Sequence, residues 1–551
     1  MPRLDSKFMV IALSVLILLY FIVLPLAVLI IDSVVVDGHL DVSSYLTVYG
    51  QAVNMRALTN TAKISILVMI LSVLITFPLA WLIGRTDLPG RKKFRTILVA
   101  SYMIPPYVGA IAWTQLLNPD VGYLNALLKT IFSLSKAPFN IYTEGGLIWV
   151  LTLFYSPFAF ITISRAMEKM DPTLEEASRV SGASPLRVLW DVTLPSILAG
   201  GLLVFIGAGS AFGIPAIVGM PGNIEVLTTR IVSFVYMGND SGIRNATTLA
   251  VSLMILANGL LFFMTWFMGR KDYTTIGGKS TRPALVELGK WKGLATFLVA
   301  VYAFIAVILP LGSIVITSFM VSMSKGLSLD NFGFDAWIPV LENSQYLDCI
   351  WRSLGYAFIA ATIGTILSLF VAYLSVKTHV KGRSLPDLLV MVGGSTPSVV
   401  IALALIITFS GNYGLNLYST MWILIVSYLV KYMTMSVRTI AASLSQVSSS
   451  LEEAGLNSGA GWLRICKDII MPLIAPSIVA GWFLIFMPSF YELTMSNLLY
   501  GSDTQTIGVL LYELQTYADT QNASVMSVII LIIVMVGNLI LNKVSKGHIA
   551  I

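Results

Sequence analysis

Apolar runs of about twenty residues follow one another along the whole chain, separated by short polar segments. A membrane-spanning helix needs about 20 predominantly apolar residues, so these runs predict about twelve spans. The first run is too long for the apolar part of a signal peptide and lacks a small-residue cleavage site, so we interpret it as the first span. The runs lie near 8–31, 61–84, 95–118, 146–168, 196–220 and 245–268, and then near 291–320, 352–376, 386–410, 419–441, 474–498 and 523–543.

One polar segment occurs twice, at 174–195 and again at 451–472, each time after the fourth apolar run of a set of six. The two copies match without a gap over their whole length, which indicates an internal duplication. Because six spans return the chain to its starting side, both copies run in the same direction. The first copy contains Leu174-Glu175-Glu176-Ala177, Ser181-Gly182-Ala183, Leu186-Arg187, Asp191 and Pro195; the second contains Leu451-Glu452-Glu453-Ala454, Ser458-Gly459-Ala460, Leu463-Arg464, Asp468 and Pro472.

These patterns together predict an all-α polytopic membrane protein with about twelve transmembrane helices in two parallel six-helix repeats. The first repeat would occupy residues 1–270 and the second residues 291–551, joined by a polar linker at 271–290. The halves would then be related by a pseudo-twofold axis along the membrane normal.

Each copy of the polar segment is predicted to form a short helix, a glycine turn and a second helix, near 172–183 and 449–460. Ser450 and Glu453 have the spacing of a capping box, and Gly182 and Gly459 lie where a left-handed residue would end the first helix. One interpretation is a surface helix that docks into another protein; the alternative is an interfacial helix whose acids serve only as caps. Because both copies retain Glu-Glu-Ala, Gly-Ala and Arg, we favour docking.

Composition and charge support a membrane protein and set its predicted orientation. Only 11% of residues are charged, against about 25% in a soluble domain. With both termini inside, about 26 of the 34 Lys and Arg residues face the cytoplasm, as the positive-inside rule expects. We therefore predict a multi-pass protein of the cell membrane with both termini and both polar segments in the cytoplasm. This bias accounts for the net charge of +6 and gives no reason to expect nucleic acid.

Few residues within the spans suggest a transport pathway. Glu492 lies within or at the outer end of a span, where an ionisable residue is a functional candidate, with Tyr491 beside it; alternatively the span ends earlier and Glu492 is wet. Lys431 is predicted to extend toward the cytoplasmic face. Pro105 and Pro397 interrupt the third span of each half, which marks either a pathway or ordinary kinks.

The sequence offers no catalytic or nucleotide-binding set. Gly277-Gly278-Lys279-Ser280-Thr281 lacks the earlier glycine of a phosphate loop, because Tyr273 occupies that position. The histidines are scattered, and no metal-ligand cluster is visible. We therefore expect no enzymatic activity and no cofactor bound by this chain.

The repeated segment resembles the EAA signature of integral-membrane subunits of binding-protein-dependent ABC importers. In that signature Glu-Ala-Ala is followed after three residues by Gly and later by Leu-Pro. This chain departs at Ser178, at Gly455 and at Met471-Pro472, and keeps Gly182 and Gly459. The resemblance covers both halves, so the chain looks like two permeases fused into one.

The resemblance implies that each segment is a coupling helix that fits a cleft in a cytoplasmic ATPase. Two nucleotide-binding subunits would hold ATP and Mg²⁺, and a solute-binding protein would deliver cargo from outside. Fused permeases of this length resemble the ferric-iron type, although Ala211 replaces an Asp common in that subgroup. Ferric iron is the leading predicted cargo, with phosphonate, sugar phosphate, polyamine and thiamine open. The residues implied in coupling are Glu175, Glu176, Ala177, Gly182, Ala183, Arg187, Glu452, Glu453, Ala454, Gly459, Ala460 and Arg464.

Two other classes stay open from the sequence. An ion-coupled secondary transporter would also have two six-span halves, but it would need intramembrane charged residues for coupling, and this chain offers few. An export permease or a membrane scaffold would have no binding-protein partner. A secondary transporter also gives no account of the paired Glu-Glu-Ala segments.

Overall fold

The computed structural model describes residues 6–36, 38–101, 104–168, 182, 185–269, 285–378, 380–411 and 413–544. Within these residues, ten helices are long and apolar enough to cross a membrane. They coincide with ten of the twelve predicted runs, so the prediction of an all-α polytopic fold is confirmed. The ten are Ala12–Val34, Ala52–Arg85, Glu144–Glu168, Thr193–Ser210, Asp240–Phe263, Gly289–Ser318, Ser344–Lys377, Met421–Leu444, Cys466–Phe490 and Thr520–Leu541.

The described part of the first half contains eleven α-helices and one short antiparallel strand pair. The helices are α1 (Ser6–Leu18), α2 (Leu24–Val34), α3 (Ser43–Gly50), α4 (Ala52–Arg85), α5 (Arg91–Ala100), α6 (Pro106–Leu117), α7 (Tyr123–Phe132), α8 (Glu144–Glu168), α9 (Pro185–Ser210), α10 (Leu227–Val235) and α11 (Asp240–Gly269). The strands are β1 (Val35–Val36) and β2 (His39–Leu40), with Val35 opposite Leu40. Single π-helical turns at Leu19–Val23 and Pro215–Gly219 and a 3₁₀ turn at Met220–Gly222 complete it.

The described part of the second half contains thirteen α-helices. Its helices are α12 (Lys292–Ala303), α13 (Leu309–Ser318), α14 (Trp337–Glu342), α15 (Ser344–Lys377), α16 (Leu385–Ser395), α17 (Ser398–Phe409), α18 (Met421–Leu444), α19 (Ser449–Asn457), α20 (Trp462–Ile465), α21 (Met471–Phe490), α22 (Ser496–Leu499), α23 (Ile507–Thr516) and α24 (Thr520–Val544). Shorter turns lie at Gly289–Trp291, Phe304–Ile308, Met323–Lys325, Leu329–Asn331 and Cys466–Ile470.

The third predicted span of each half is broken into two helices, at the positions that Pro105 and Pro397 mark in the sequence. Helices α16 and α17 meet at an angle of 107°, and α5 and α6 are likewise separate helices. Pro397 and Pro105 precede α17 and α6. Proline lacks an N–H donor and disfavours helical backbone in the residue before it, which ends the helix there. The pieces have 10 to 12 residues, too few for any one to cross a bilayer.

The first span of each half packs against the broken third span of the other half. Helix α2 lies on α17, and helix α13 lies on α6. The second contact carries a buried polar network: Gln115 donates to Ser524 Oγ at 2.7 Å and accepts from Thr317 Oγ1 at 2.9 Å. Buried polar groups of this kind are stable only when they find partners. The two halves are therefore interlocked through an exchange of their first spans.

The end of the linker joins the end of α4. The Val286 N–H donates to the Arg85 carbonyl at 2.8 Å, and the Leu288 N–H donates to Asp87 Oδ1 at 3.0 Å. Lys292 Nζ lies 2.7 Å from Asp87 Oδ2. This ammonium, with the Leu288 N–H, lowers the pKa of the Asp87 carboxyl. We call this end of the molecule, where α4 and α15 finish and α12 starts, the basic side.

Candidate functional site

The first copy of the repeated segment lies mostly outside the described residues, which omit 169–181 and 183–184. The roles predicted for Glu175, Glu176, Ala177 and Ala183 therefore stay predictions. Gly182 has φ of +82°, which confirms the predicted left-handed turn. Arg187 belongs to the first turns of α9, so the copy leads directly into the fifth span.

The second copy forms helix α19, which ends before Gly459 with φ of +79°. The expectation for its start was wrong in one detail. Ser448, rather than Ser450, is the N-cap, and its hydroxyl accepts from the Ser450 N–H at 3.3 Å. The backbone of Ser448 is extended, which leaves its hydroxyl free to reach an N–H that has no partner within the helix.

Helix α19 has one face against the protein and one toward solvent. Glu452 is partly buried, and Gly455 is buried, whereas Glu453 and Ala454 are exposed. Leu456 is also exposed, at 58%. An apolar side chain beside an exposed carboxylate, on a helix outside the spans, is the surface expected of a helix that fits a groove in a partner.

Gly455, where the EAA signature has alanine, packs closely against the segment that follows α19. A Cβ atom there would lie 2.9 Å from Ile465 Cγ1 and 3.3 Å from Ile469 Cδ1. Among the coupling candidates, Ala460 is half-buried and Gly459 is exposed. Arg464 is bonded to Asp468 one turn later, at 3.3 Å, with an exposed side chain. Because Gly455 has no side chain, α19 and the segment after it can pack closely against each other.

A cavity of about 390 Å³ lies between the two halves. Helices α8 and α9 form one wall, and α18 with the segment after α21 forms the other. Its polar lining includes Tyr107, Tyr155, Lys431, Tyr432 and Glu492. Tyr491 also lines it, as do Pro106 and Ser398, which follow the two prolines that break the third spans. The breaks therefore border this cavity.

Glu492 is only 5% exposed, so its burial is confirmed and the alternative of a wet position is wrong. Its Oε1 accepts from the Met495 N–H at 2.9 Å, and its Oε2 accepts from the Ser496 N–H and hydroxyl, each at 2.8 Å. These donors belong to the start of α22. A buried carboxylate must be hydrogen-bonded to remain charged, and here the backbone supplies most of the donors.

Lys431 does not extend to the basic side, so that prediction was wrong. Its ammonium donates to the Gly394 carbonyl at 3.1 Å and to the Thr396 carbonyl at 2.7 Å. These carbonyls lie at the break between α16 and α17, where the helix leaves them without intrahelical partners. A cation is favoured at this helix end by the backbone dipole as well. Lys431 therefore stabilises the break between α16 and α17 by donating to its carbonyls.

The two halves contribute unequally to the cavity. Phe154 corresponds to Lys431 in the register that pairs the two polar segments. Ala211 corresponds to Glu492 in the slightly shifted register that holds beyond those segments. All four residues line the same cavity. Its buried charges within the described residues thus come from the second half. The sequence marked Lys431 as a charged residue in a span, but the carbonyls it meets could not be identified.

No group of three or more His, Cys, Asp or Glu side chains suited to hold a metal occurs among the residues that the structure describes. The tyrosines around the cavity were not predicted, except Tyr491. Tyr155 and Tyr432 hold matching positions in the two repeats, a correspondence that could have identified them. Among the described residues, the polar side chains around the cavity are therefore one carboxylate, one ammonium, several phenols and the hydroxyls of Ser210, Ser398 and Thr494.

The chain matches a family model described as "Binding-protein-dependent transport system inner membrane component" twice, at residues 76–271 and 364–546. Each match includes one copy of the repeated polar segment and one broken third span. The two matches together cover more than half of the chain.

Several curated relatives are similar over most of the chain. The chain is 27% identical over 517 residues to the putative ferric transport system permease protein FbpB 1 of Haemophilus influenzae, covering 91% of this chain and 79% of the relative. It is 26% identical over 518 residues to the ferric transport system permease protein FbpB of Actinobacillus pleuropneumoniae, covering 91% and 73%. The spermidine/putrescine transport system permease protein PotC of Escherichia coli is 24% identical over 256 residues, which is 46% of this chain and 95% of PotC.

Proposed function

Since this chain belongs to the family of binding-protein-dependent transport system inner membrane components, we propose that it imports ferric iron, driven by ATP hydrolysis in separate subunits. The chain supplies both six-span halves of the pathway. Two nucleotide-binding subunits bind beneath the two repeated segments, and a solute-binding protein delivers cargo to the opposite side. The observation that carries this proposal is the duplicated segment, whose second copy presents Glu453 outward on the basic side of the molecule.

The proposed mechanism uses the interlocked halves. Closure of the ATPase dimer moves the two docked segments together, and each segment leads directly into the fifth span of its half. The cavity between the halves then opens alternately to the two sides of the membrane. The broken third spans, which border the cavity, are the segments whose rearrangement opens and closes it.

The cargo assignment rests on the printed names of the relatives and on cavity chemistry. Two relatives that align with 91% of the chain are named ferric transport permeases. Ferric iron is a hard cation that prefers oxygen ligands, and the cavity offers phenols and one carboxylate. Because the oxygens of Glu492 already accept three hydrogen bonds, the cavity would hold such an ion weakly, as a pathway requires.

Polyamine import is the second candidate for the cargo. It is favoured by the similarity of nearly half the chain to a spermidine/putrescine permease. Uptake of radiolabelled iron and of radiolabelled spermidine, measured in the same cells with and without this chain, separates the two. Iron uptake that depends on the chain supports the assignment; spermidine uptake alone would replace it.

An ion-coupled secondary transporter fits the structure less well. Such a transporter needs ionisable groups that bind and release the coupling ion. Lys431 and Glu492, the buried charges of the cavity, instead hold backbone groups at helix ends.

Association with the ATPase tests the docking role of the repeated segments. The variant with Glu176→Lys and Glu453→Lys should lose association with its cognate ATP-binding subunit in a pull-down, while still inserting into the membrane. Glu342→Lys is the matched control, because Glu342 is also exposed but lies at the end of α14, next to the opposite end of α15. Unchanged association in the double variant would remove the docking role of the acids.

A further inference from the structure

The end of the second span in the second half is tied directly to the docking helix. Lys377 is the last residue of α15, and its side chain is only 9% exposed. Its ammonium lies 2.9 Å from Glu452 Oε1 and donates to the Val447 carbonyl at 2.6 Å. Val447 precedes the N-cap of α19, and Glu452 lies in the first turns of that helix. The Lys377 ammonium therefore contacts both the residue before the N-cap of α19 and a residue within that helix.

This contact differs from an ordinary surface ion pair. Exposed pairs contribute little because water and salt screen them, but here the side chains of Lys377 and Glu452 are 9% and 20% exposed. Low exposure reduces screening, and removing one partner leaves the other charge without compensation. The last turn of α15 also favours a cation, because its free carbonyls carry partial negative charge. The ion pair between Lys377 and Glu452 should therefore stay formed when α19 moves relative to α15.

The two adjacent acids of the segment point in different directions. Glu452 faces Lys377, whereas Glu453 is exposed. Successive residues of an α-helix are rotated by about 100°, so neighbours in sequence serve different surfaces. A single role for both acids does not fit this arrangement. Glu453 is free to meet a partner protein, and Glu452 is already engaged within the chain.

The first half has a basic residue at the matching place. Arg85 is the last residue of α4 and corresponds to Lys377 in the register that also pairs the threonine after each of them. Arg85 is 3% exposed, as expected of a guanidinium held inside the protein rather than a surface charge. Glu175 corresponds to Glu452 in the register of the repeated segment. A buried basic residue thus ends the second span in both halves.

We propose that Lys377 and Glu452 are positioning residues that transmit the movement of α19 to the second span, whereas Glu453 contacts the ATPase. This inference rests on the proposed function, since it assumes that an ATPase moves α19. The fifth span then receives the movement through the chain itself, and the second span receives it through this ion pair. Loss of the pair leaves docking intact and reduces the cargo moved for each ATP hydrolysed.

The test uses the complete complex of chain, ATPase and binding protein in proteoliposomes, with iron uptake and phosphate release measured together. Glu452→Gln and Lys377→Met should each keep ATPase association and hydrolysis, while iron uptake per ATP falls at least five-fold. The exchange variant, Lys377→Glu with Glu452→Lys, should exceed both single variants in uptake per ATP. Lys381→Met is the matched control, because Lys381 is an exposed lysine four residues beyond the end of α15. Iron uptake per ATP should not change in this variant.

Several outcomes would overturn the inference. One is unchanged uptake per ATP in both single variants. Another is loss of ATPase association in Glu452→Gln equal to that in Glu453→Gln, which would make Glu452 a docking residue. If the single variants do not accumulate, the exchange variant decides alone. Because a carboxylate at position 377 cannot donate to the Val447 carbonyl, a less than five-fold loss of uptake per ATP supports the link, and a larger loss overturns it. Absence of ATPase association in the unaltered chain would instead refute the proposed function.

Discussion

Replacing Lys431 by methionine tests how the broken third span of the second half is held. Methionine keeps the length and apolar stem of lysine and removes only the ammonium. The Gly394 and Thr396 carbonyls would then lose donors at 3.1 and 2.7 Å. Since the break between α16 and α17 borders the cavity, we expect the bent arrangement to become less populated.

The size of the effect follows from opposing contributions. Each hydrogen bond to a charged group contributes about 1.5–3 kcal/mol, and dehydration of the buried ammonium offsets a large part of that gain. A net loss of about 2 kcal/mol is therefore reasonable. At about 1.4 kcal/mol for each factor of ten, this loss corresponds to a shift of roughly 30-fold away from the bent arrangement.

Two measurements check this prediction. Thermal unfolding of the purified chain should occur at lower temperature in Lys431→Met, and iron uptake by the full complex should fall by roughly ten-fold or more. ATPase association should not change, because Lys431 bonds to the break between α16 and α17 and not to the docking helix. Met435→Leu is the control, since Met435 lines the same cavity one turn further along α18. Normal thermal stability together with normal uptake in Lys431→Met would refute the role of the ammonium.

Three further predictions follow from close contacts. Gly508→Ala places a Cβ atom 2.6 Å from the Glu492 carbonyl oxygen, so it should reduce both thermal stability and uptake; Gly355→Ala, with nothing within 4 Å, should leave both unchanged. Glu492→Gln exchanges one accepting oxygen for an amide donor facing N–H groups, so it should lower the unfolding temperature; an unchanged temperature would contradict the capping role. The lowered pKa of Asp87 means that its bond to Lys292 stabilises the linker end above the ordinary pKa of aspartate and is lost as pH falls through the lowered value. Asp87→Asn at neutral pH should therefore reduce the hydrogen-exchange protection of the Leu288 N–H, and equal protection in both proteins would contradict this.

The long unbroken spans could be predicted from the sequence because apolar runs of sufficient length have few alternatives. Helices α4 and α15 follow directly from such runs. The broken spans were only partly predictable: Pro105 and Pro397 marked the positions, but the 107° angle depends on neighbouring groups that donate to the freed carbonyls. Lys431, which supplies the donor, is distant from Thr396 in the sequence, and no local pattern connects them.

For the docking segment too, the local structure could be predicted from the sequence, but the contacts with residues distant in the sequence could not. Its helix, its glycine turn and its duplication were all contained in local sequence. Which acid would face outward was not, because Glu452 and Glu453 are adjacent and chemically identical. Glu452 faces inward because it pairs with Lys377. The packing of α15 against the rest of the second half brings Lys377 near the docking helix. The exchange of first spans between halves was likewise hidden, since the apolar surfaces of α2 and α13 fit many partners.

In the proposed function, the two repeated segments on the basic side receive force from a separate ATPase. The most direct measurement is iron uptake into proteoliposomes that contain the purified chain and its binding protein, with and without the cognate ATP-binding subunits and internal ATP. Uptake is expected only when the subunits and ATP are both present, and it should be lost in the variant with Glu176→Lys and Glu453→Lys. Uptake by the chain alone, driven by an ion gradient, would contradict the proposed function.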